Sequence, residues 1–215
     1  MPDTKISALP DGGTPADTDL VPVASGGVTE RFSLNQLTAY FEQRGRQSNG
    51  SIAAQTLGTT DTYITGSDVL IPTGRLQVRS MYRCRFNVTK SAAGVAAASL
   101  NIRVGTAGTT ADTARVTASF GAQTAVVDEG FFEIYLNFRT IGATAVPAAV
   151  IYLQHRLTST GLISGATAGA NNINTQVGAA FDVTAANLRI GVSVNPGASS
   201  SWQVQLVQSE LFNLA

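Results

Sequence analysis

The chain has 215 residues, of which 44% are hydrophobic and only 13% charged, and its formal net charge is zero. That apolar share is enough for a packed core, and low charge with abundant Ala, Gly, Thr and Ser is not the signature of a solvated disordered chain. Zero net charge removes the general basic field expected of a nucleic-acid binder. The single cysteine, Cys84, leaves no intramolecular disulfide and no cysteine zinc site.

No apolar run is long enough to span a bilayer, and Met1-Pro2-Asp3-Thr4 is not the basic-then-apolar start of an export signal. The expectation is therefore a protein without membrane insertion, made and assembled in a cytoplasm.

In chain order, a short apolar entry (Ile6, Leu9, Pro10) leads into the turn-rich segment Asp11–Asp19. There Gly supplies positive φ, and Asp and Thr bond their own backbone. Leu20-Val21-Pro22-Val23 reads as an extended apolar piece. Pro22 cannot donate to a ladder, so this piece belongs at an edge or on a partner. Gly26-Gly27 precedes a second strand, Val28 to Phe32.

Ser33 and Gln36 fit a capping box, each satisfying an orphan N–H at the start of a short helix. Leu34, Leu37 and Tyr40 or Phe41 then share one helical face. A helix this short is marginal alone, so that face needs a partner. Ser48-Asn49-Gly50-Ser51 reads as a polar linker. The expected organisation is an attachment arm with one short helix over 1–47, a linker over 48–51 and a β domain over 52–215.

The ordered set KIS-x-LP, DLVPV, GGVT and SLNQL between Lys5 and Phe41 resembles the N-terminal segment of bacteriophage virion appendage proteins of the tail-fibre and head-fibre type. The resemblance does not extend beyond this segment. It implies a virion protein, assembled in the host cytoplasm, whose N-terminus docks on another virion protein (portal, tail or capsid). The residues it assigns to attachment are Ile6, Leu9, Pro10, Leu20, Val21, Pro22, Val23, Leu34 and Leu37. It also implies a homotrimer and a displayed domain that recognises a host-surface glycan. A capsid decoration protein and a polysaccharide-cleaving enzyme are the alternatives.

From Ile52 onward the sequence is strand-patterned with turn punctuation. Leu76 to Val88 predicts one strand, with Leu76, Val78, Ser80, Tyr82, Cys84, Phe86 and Val88 on the buried face and Arg79, Arg83 and Arg85 on the other. Further strands are expected at 100–104, 115–120, 131–140, 150–157, 188–194 and 202–208. Shorter ones are expected near Tyr63, Val69 and Gln176 to Val183. The Gly-rich segments 106–114, 164–175 and 195–201 read as loops. So many short strands with no helix between them predict a mainly β fold, an antiparallel β-sandwich of jelly-roll-like kind, preceded by the short N-terminal arm.

Candidate chemistry is sparse. His155, the only histidine, lies on the apolar face of its strand with Ile151, Leu153 and Leu157, where a structural role is expected. A catalytic role would need a nearby nucleophile or carboxylate, and a metal site further ligands. Cys84, between Tyr82 and Phe86, is expected to be a buried inert thiol. Asp128, Glu129 and Glu133 are the closest carboxylates. They read as a polar strand entry and a solvent-facing residue rather than a glycosidase pair.

Arg79, Arg83 and Arg85 form a candidate anionic-ligand face. Tyr63, Tyr135, Tyr152 and Trp202 could stack on sugars, although most are expected in packing. The matches to the glycosylation pattern at Asn49 and Asn87 carry no meaning in a bacterial cytoplasm. No phosphate loop, GxSxG or HExxH occurs, so no enzyme activity, cofactor or metal is expected, and no nucleic acid.

Overall fold

The computed structural model describes residues 16, 20–25, 28–34, 36–37, 46–157, 159–163, 171–198 and 200–214. The chain divides into two compact units, Met1–Arg44 and Gly45–Ala215.

In the first unit, β1 (Leu20–Ser25) and β2 (Val28–Ser33) pair antiparallel from Leu20↔Ser33 to Ser25↔Val28. Pro22 lies opposite Arg31. In a two-stranded sheet each strand is an edge, so its missing N–H is tolerated.

The capping box forms as the spacing predicts. The Ser33 backbone N–H donates to Gln36 Oε1 at 2.8 Å, and the Gln36 N–H donates to Ser33 Oγ at 3.1 Å. Of the expected attachment residues, Ile6, Leu9 and Pro10 lie outside the described residues. Leu20, Val21, Pro22 and Val23 are in β1, and Leu34 and Leu37 are in the helical turn after β2.

The second unit is a β-sandwich. Its strands are β3 (Arg46–Ser51), β4 (Gln55–Leu57), β5 (Thr62–Tyr63), β6 (Val69–Leu70), β7 (Met81–Lys90), β8 (Ser99–Gly105), β9 (Thr113–Ser119), β10 (Asp128–Phe138), β11 (Pro147–His155), β12 (Asn171–Val177), β13 (Arg189–Asn195) and β14 (Trp202–Phe212). One sheet has the order β12-β11-β10-β7-β14-β3, with β4 also on β14, and the other runs β5-β13-β8-β9, with β6 on β13. Every pairing is antiparallel.

The connections β4–β5, β6–β7, β7–β8, β9–β10, β12–β13 and β13–β14 pass from one sheet to the other, while β8–β9 and β10–β11–β12 are local meanders. The core between the sheets is built by strict alternation. Tyr82, Cys84, Phe86 and Val88 of β7 point in and are buried, as the pattern predicts, and Arg83 and Arg85 point out. The Phe132 ring lies 5.1 Å from Phe86, 6.0 Å from Trp202 and 5.3 Å from Phe120 at the end of β9, so it joins the two layers.

Three expectations are corrected. First, the strand expected from Leu76 begins at Met81. The Ser80 N–H donates to Gln77 O at 2.9 Å, which closes a turn with Arg79 at φ 83°. Val78 is therefore 50% exposed instead of buried, and Arg79 does not share the strand face of Arg83 and Arg85.

Second, Ser48–Ser51 is not a linker. It lies in β3, paired with β14 from Val207↔Ser51 to Phe212↔Arg46, so the sandwich begins before Ile52. Small polar residues permit a linker, but an open edge on β14 gives these backbone groups partners. Third, the loop expected through Thr175 is strand from Asn171 onward. Pairing with β11 outweighs the weak strand propensity of Asn.

Among the described residues no helix is long and apolar enough to cross a membrane.

Candidate functional site

The outward side chains of the seven-stranded sheet form a lattice of cross-strand rows. Gln154 of β11, Phe131 of β10, Asn87 of β7 and Gln205 of β14 are successive register partners and make one row. The next row is Tyr152, Glu133, Arg85 and Gln208, and the one after it Val150, Tyr135, Arg83 and Glu210. On the other side of the first row stand Glu129, Thr89 and Gln203, with Arg156 just beyond the end of β11. Side chains one row apart on neighbouring strands are in reach of one another.

The charged rows are internally compensated. Arg83 Nη2 donates to Glu133 Oε1 at 2.6 Å, and its guanidinium lies 5.6 Å from the Tyr135 ring centre. The Tyr135 hydroxyl donates to the same carboxylate oxygen at 2.7 Å. That hydrogen bond, with the Arg83 pairing, holds the Glu133 carboxyl below the usual carboxylate range, and the Arg83 guanidinium is raised in turn. Arg85 Nε donates to Gln208 Oε1 at 3.0 Å, and Arg46 pairs with Glu210.

Arg83, Arg85, Gln208 and Glu210 line a depression of about 240 Å³. The arginines of the expected anionic-ligand face are thus split. Arg83 and Arg85 lie together and are engaged, while Arg79 sits in the turn before β7.

A larger groove of about 400 Å³ lies over the amide row, bounded by Glu129 and Arg156, which pair at 3.5 Å. Phe131 is 36% exposed at its floor. The side chains of Asn87, Gln154 and Gln205 make no hydrogen bond to another described residue. Beside Gln205, β14 carries a β-bulge between Gln205 and Gln208, with Leu206 at φ 54°. A bulge of this kind re-aims the side chains around it.

The candidate sugar-stacking aromatics separate. Tyr135 and Tyr152 meet edge to face at 6.1 Å on the outer lattice. Trp202 is core, its indole N–H donating to the buried Gln123 at 2.9 Å. Tyr63 lies across Gly191, where a Cβ would come within 2.0 Å of its hydroxyl. Phe131 was not singled out by the sequence pattern, because apolar alternation alone does not distinguish an exposed ring from a buried one.

Asp128 and His155 meet inside the sandwich. His155 lies in β11 on the inward face with Ile151 and Leu153, as expected. Asp128 opens β10, as its reading as a polar strand entry has it, but it does so fully buried. Asp128 Oδ2 is 2.8 Å from His155 Nδ1, and neither side chain has exposed surface. The carboxylate also accepts from the backbone N–H groups of Glu129 (2.9 Å), Leu162 (3.0 Å) and Leu157 (3.3 Å). It thereby ties the segment after β11 to the start of β10.

A second polar cluster covers the other sheet. Arg103 donates to Ser193 Oγ at 2.7 Å and to Thr110 O at 3.0 Å, and pairs with Asp61. This network explains why β13 is buried on both faces. Cys84 is buried, and burial pushes its thiol up to about 12. Among the described residues no three His, Cys, Asp or Glu side chains are grouped as metal ligands.

Compared with protein-family models, with curated proteins and with solved structures, the chain matches none.

Proposed function

We propose that this protein is a non-enzymatic structural component of a bacteriophage virion. In this reading it is a fibre- or spike-type appendage, anchored through its N-terminal unit and displaying the sandwich for host-glycan recognition. The observation that supports the reading most is the state of the N-terminal unit. Among the described residues of this unit, a two-stranded sheet and one helical turn are too few to make a core of their own, and Leu20 is 59% exposed. Apolar groups left open on an element this small are suited to ordering on a partner. The ordered motifs between Lys5 and Phe41 point to the same role.

Self-association as a homotrimer belongs to the proposal. The edge strand β12 carries no charged residue, and its outward Ile173 is 60% exposed beside exposed Val177. Charged residues are the usual protection of such an edge.

The test is transplantation. Residues 1–44 fused to an unrelated soluble domain should carry it onto the particle, and a chain beginning at Gly45 should fold but fail to incorporate. Starting at Ile52 would remove β3 and confound folding with attachment. Normal incorporation of the Gly45 chain would overturn the anchoring role. A copy number equal to that of the capsid subunits would instead identify a decoration protein.

A further inference from the structure

We propose that the row Gln154–Phe131–Asn87–Gln205 is a binding site for a neutral oligosaccharide. This deepens the reading of the sandwich as the displayed, receptor-facing part and rests on it for its biological setting.

The argument starts from what is left unengaged on the outer lattice. The arginines one and two rows away are already engaged: Arg85, in the adjacent row, donates through Nε to Gln208, and Arg83, in the row after it, has Glu133 and Tyr135. An incoming anion at Arg83 would have to displace the Glu133 carboxylate. At the mouth of the groove Arg156 is likewise compensated by Glu129. The row itself holds no charge. Its three amides, Gln154, Asn87 and Gln205, make no hydrogen bond to another described residue.

A free amide offers two N–H donors and a carbonyl acceptor, the complement of a hydroxyl that both donates and accepts. Phe131 supplies an apolar surface in the middle of the row. The combination of one ring and surrounding hydrogen-bonding groups suits a ligand with an apolar face and a rim of hydroxyls, which is the chemistry of a pyranose. A row without charge, flanked by charges of both signs, disfavours a nucleotide or a phosphorylated ligand, which would call for an excess of cationic groups.

The dimensions agree with this. Four adjacent strands place the row across three inter-strand spacings, roughly 14 Å, the span of a short oligosaccharide rather than one sugar. The groove over it has a volume of about 400 Å³. The β14 bulge adds an independent sign. Leu206 adopts φ 54° immediately beside Gln205, and backbone held in such a conformation clusters at ligand-binding positions.

The experiment uses the full chain and ligand-observed saturation-transfer NMR. The probes are neutral trisaccharides of glucose, galactose, mannose and N-acetylglucosamine, with a sialylated trisaccharide as the anionic arm. At least one neutral trisaccharide should bind. Phe131→Ala should weaken it by about tenfold, the scale of one lost aromatic contact. Phe131→Tyr should retain binding. Asn87→Asp, a surface change that keeps the side-chain shape, should also weaken it, so the proposal does not depend on how well Phe131→Ala folds.

The proposal is overturned if no neutral trisaccharide binds, or if binding is indifferent to both Phe131→Ala and Asn87→Asp. It is equally overturned if only the sialylated probe binds and Arg85→Ala, not Phe131→Ala, abolishes it. Incorporation into particles is scored separately, so loss of sugar binding and failure of the appendage reading are distinct results.

Discussion

Asp128 Oδ2 lies 2.8 Å from His155 Nδ1 with both side chains wholly removed from solvent. The pair is joined by the backbone N–H groups of Leu157 and Leu162, and Gly161 closes over it at φ 90°. A Cβ on Gly161 would stand 2.3 Å from Asp128 Oδ2, so the segment can approach only as glycine. Removing the carboxylate charge leaves buried donors badly matched. Asp128→Asn should cost about 2–4 kcal/mol, read from urea unfolding. Amide exchange at 156–162 should accelerate more than at β8. Unchanged stability would mean that this pair does not hold the segment.

The Cys84 thiol faces the core between Tyr82 and Phe86, and its burial raises it to about 12. A group whose folded value exceeds its unfolded one favours folding only while it stays protonated in both states. Above about pH 8.5 the unfolded thiol ionises and the folded one does not, so this contribution is lost progressively as pH rises from there towards 12. In native protein at pH 8, iodoacetamide should leave Cys84 unmodified over hours, and denaturant should expose it to full labelling. Rapid native labelling would show that β7 opens readily.

Leu206 occupies the bulge of β14 at φ 54°, with its side chain 51% exposed. Two effects compete on replacement by glycine. Left-handed backbone strain for a non-glycine residue costs on the order of 1 kcal/mol, and the added chain entropy of glycine about 0.5–1 kcal/mol. Leu206→Gly should therefore be neutral or stabilising by up to about 0.5 kcal/mol, measured as the urea midpoint. The same change at the neighbouring Gln205, which keeps regular pairing with Asn87, should destabilise.

Ile173 tests self-association. As a free surface residue, Ile173→Lys should change stability by less than about 0.5 kcal/mol. Buried between copies, it should dissociate the trimer without unfolding the sandwich. Sedimentation velocity of the full chain at micromolar concentration distinguishes these outcomes. A monomeric unsubstituted chain under those conditions would remove the trimer from the proposal.

Short-range patterns were enough for the mainly β sandwich, for the inward set Tyr82, Cys84, Phe86 and Val88 against the outward Arg83 and Arg85, and for the Ser33–Gln36 capping box. Period-two alternation and a three-residue cap are local properties, so the chain states them without reference to anything distant. Where the strand around Val78 starts was not legible, because alternation continues through a turn that the Ser80 to Gln77 hydrogen bond closes. Ser48–Ser51 carries linker composition and becomes strand only because β14 offers it an edge. The Asp128–His155 pair joins residues from two strands, and the Gln154–Phe131–Asn87–Gln205 row collects one residue from each of four. Such neighbours are set by strand order and register, which arise from packing the two sheets together rather than from the preferences of any one segment.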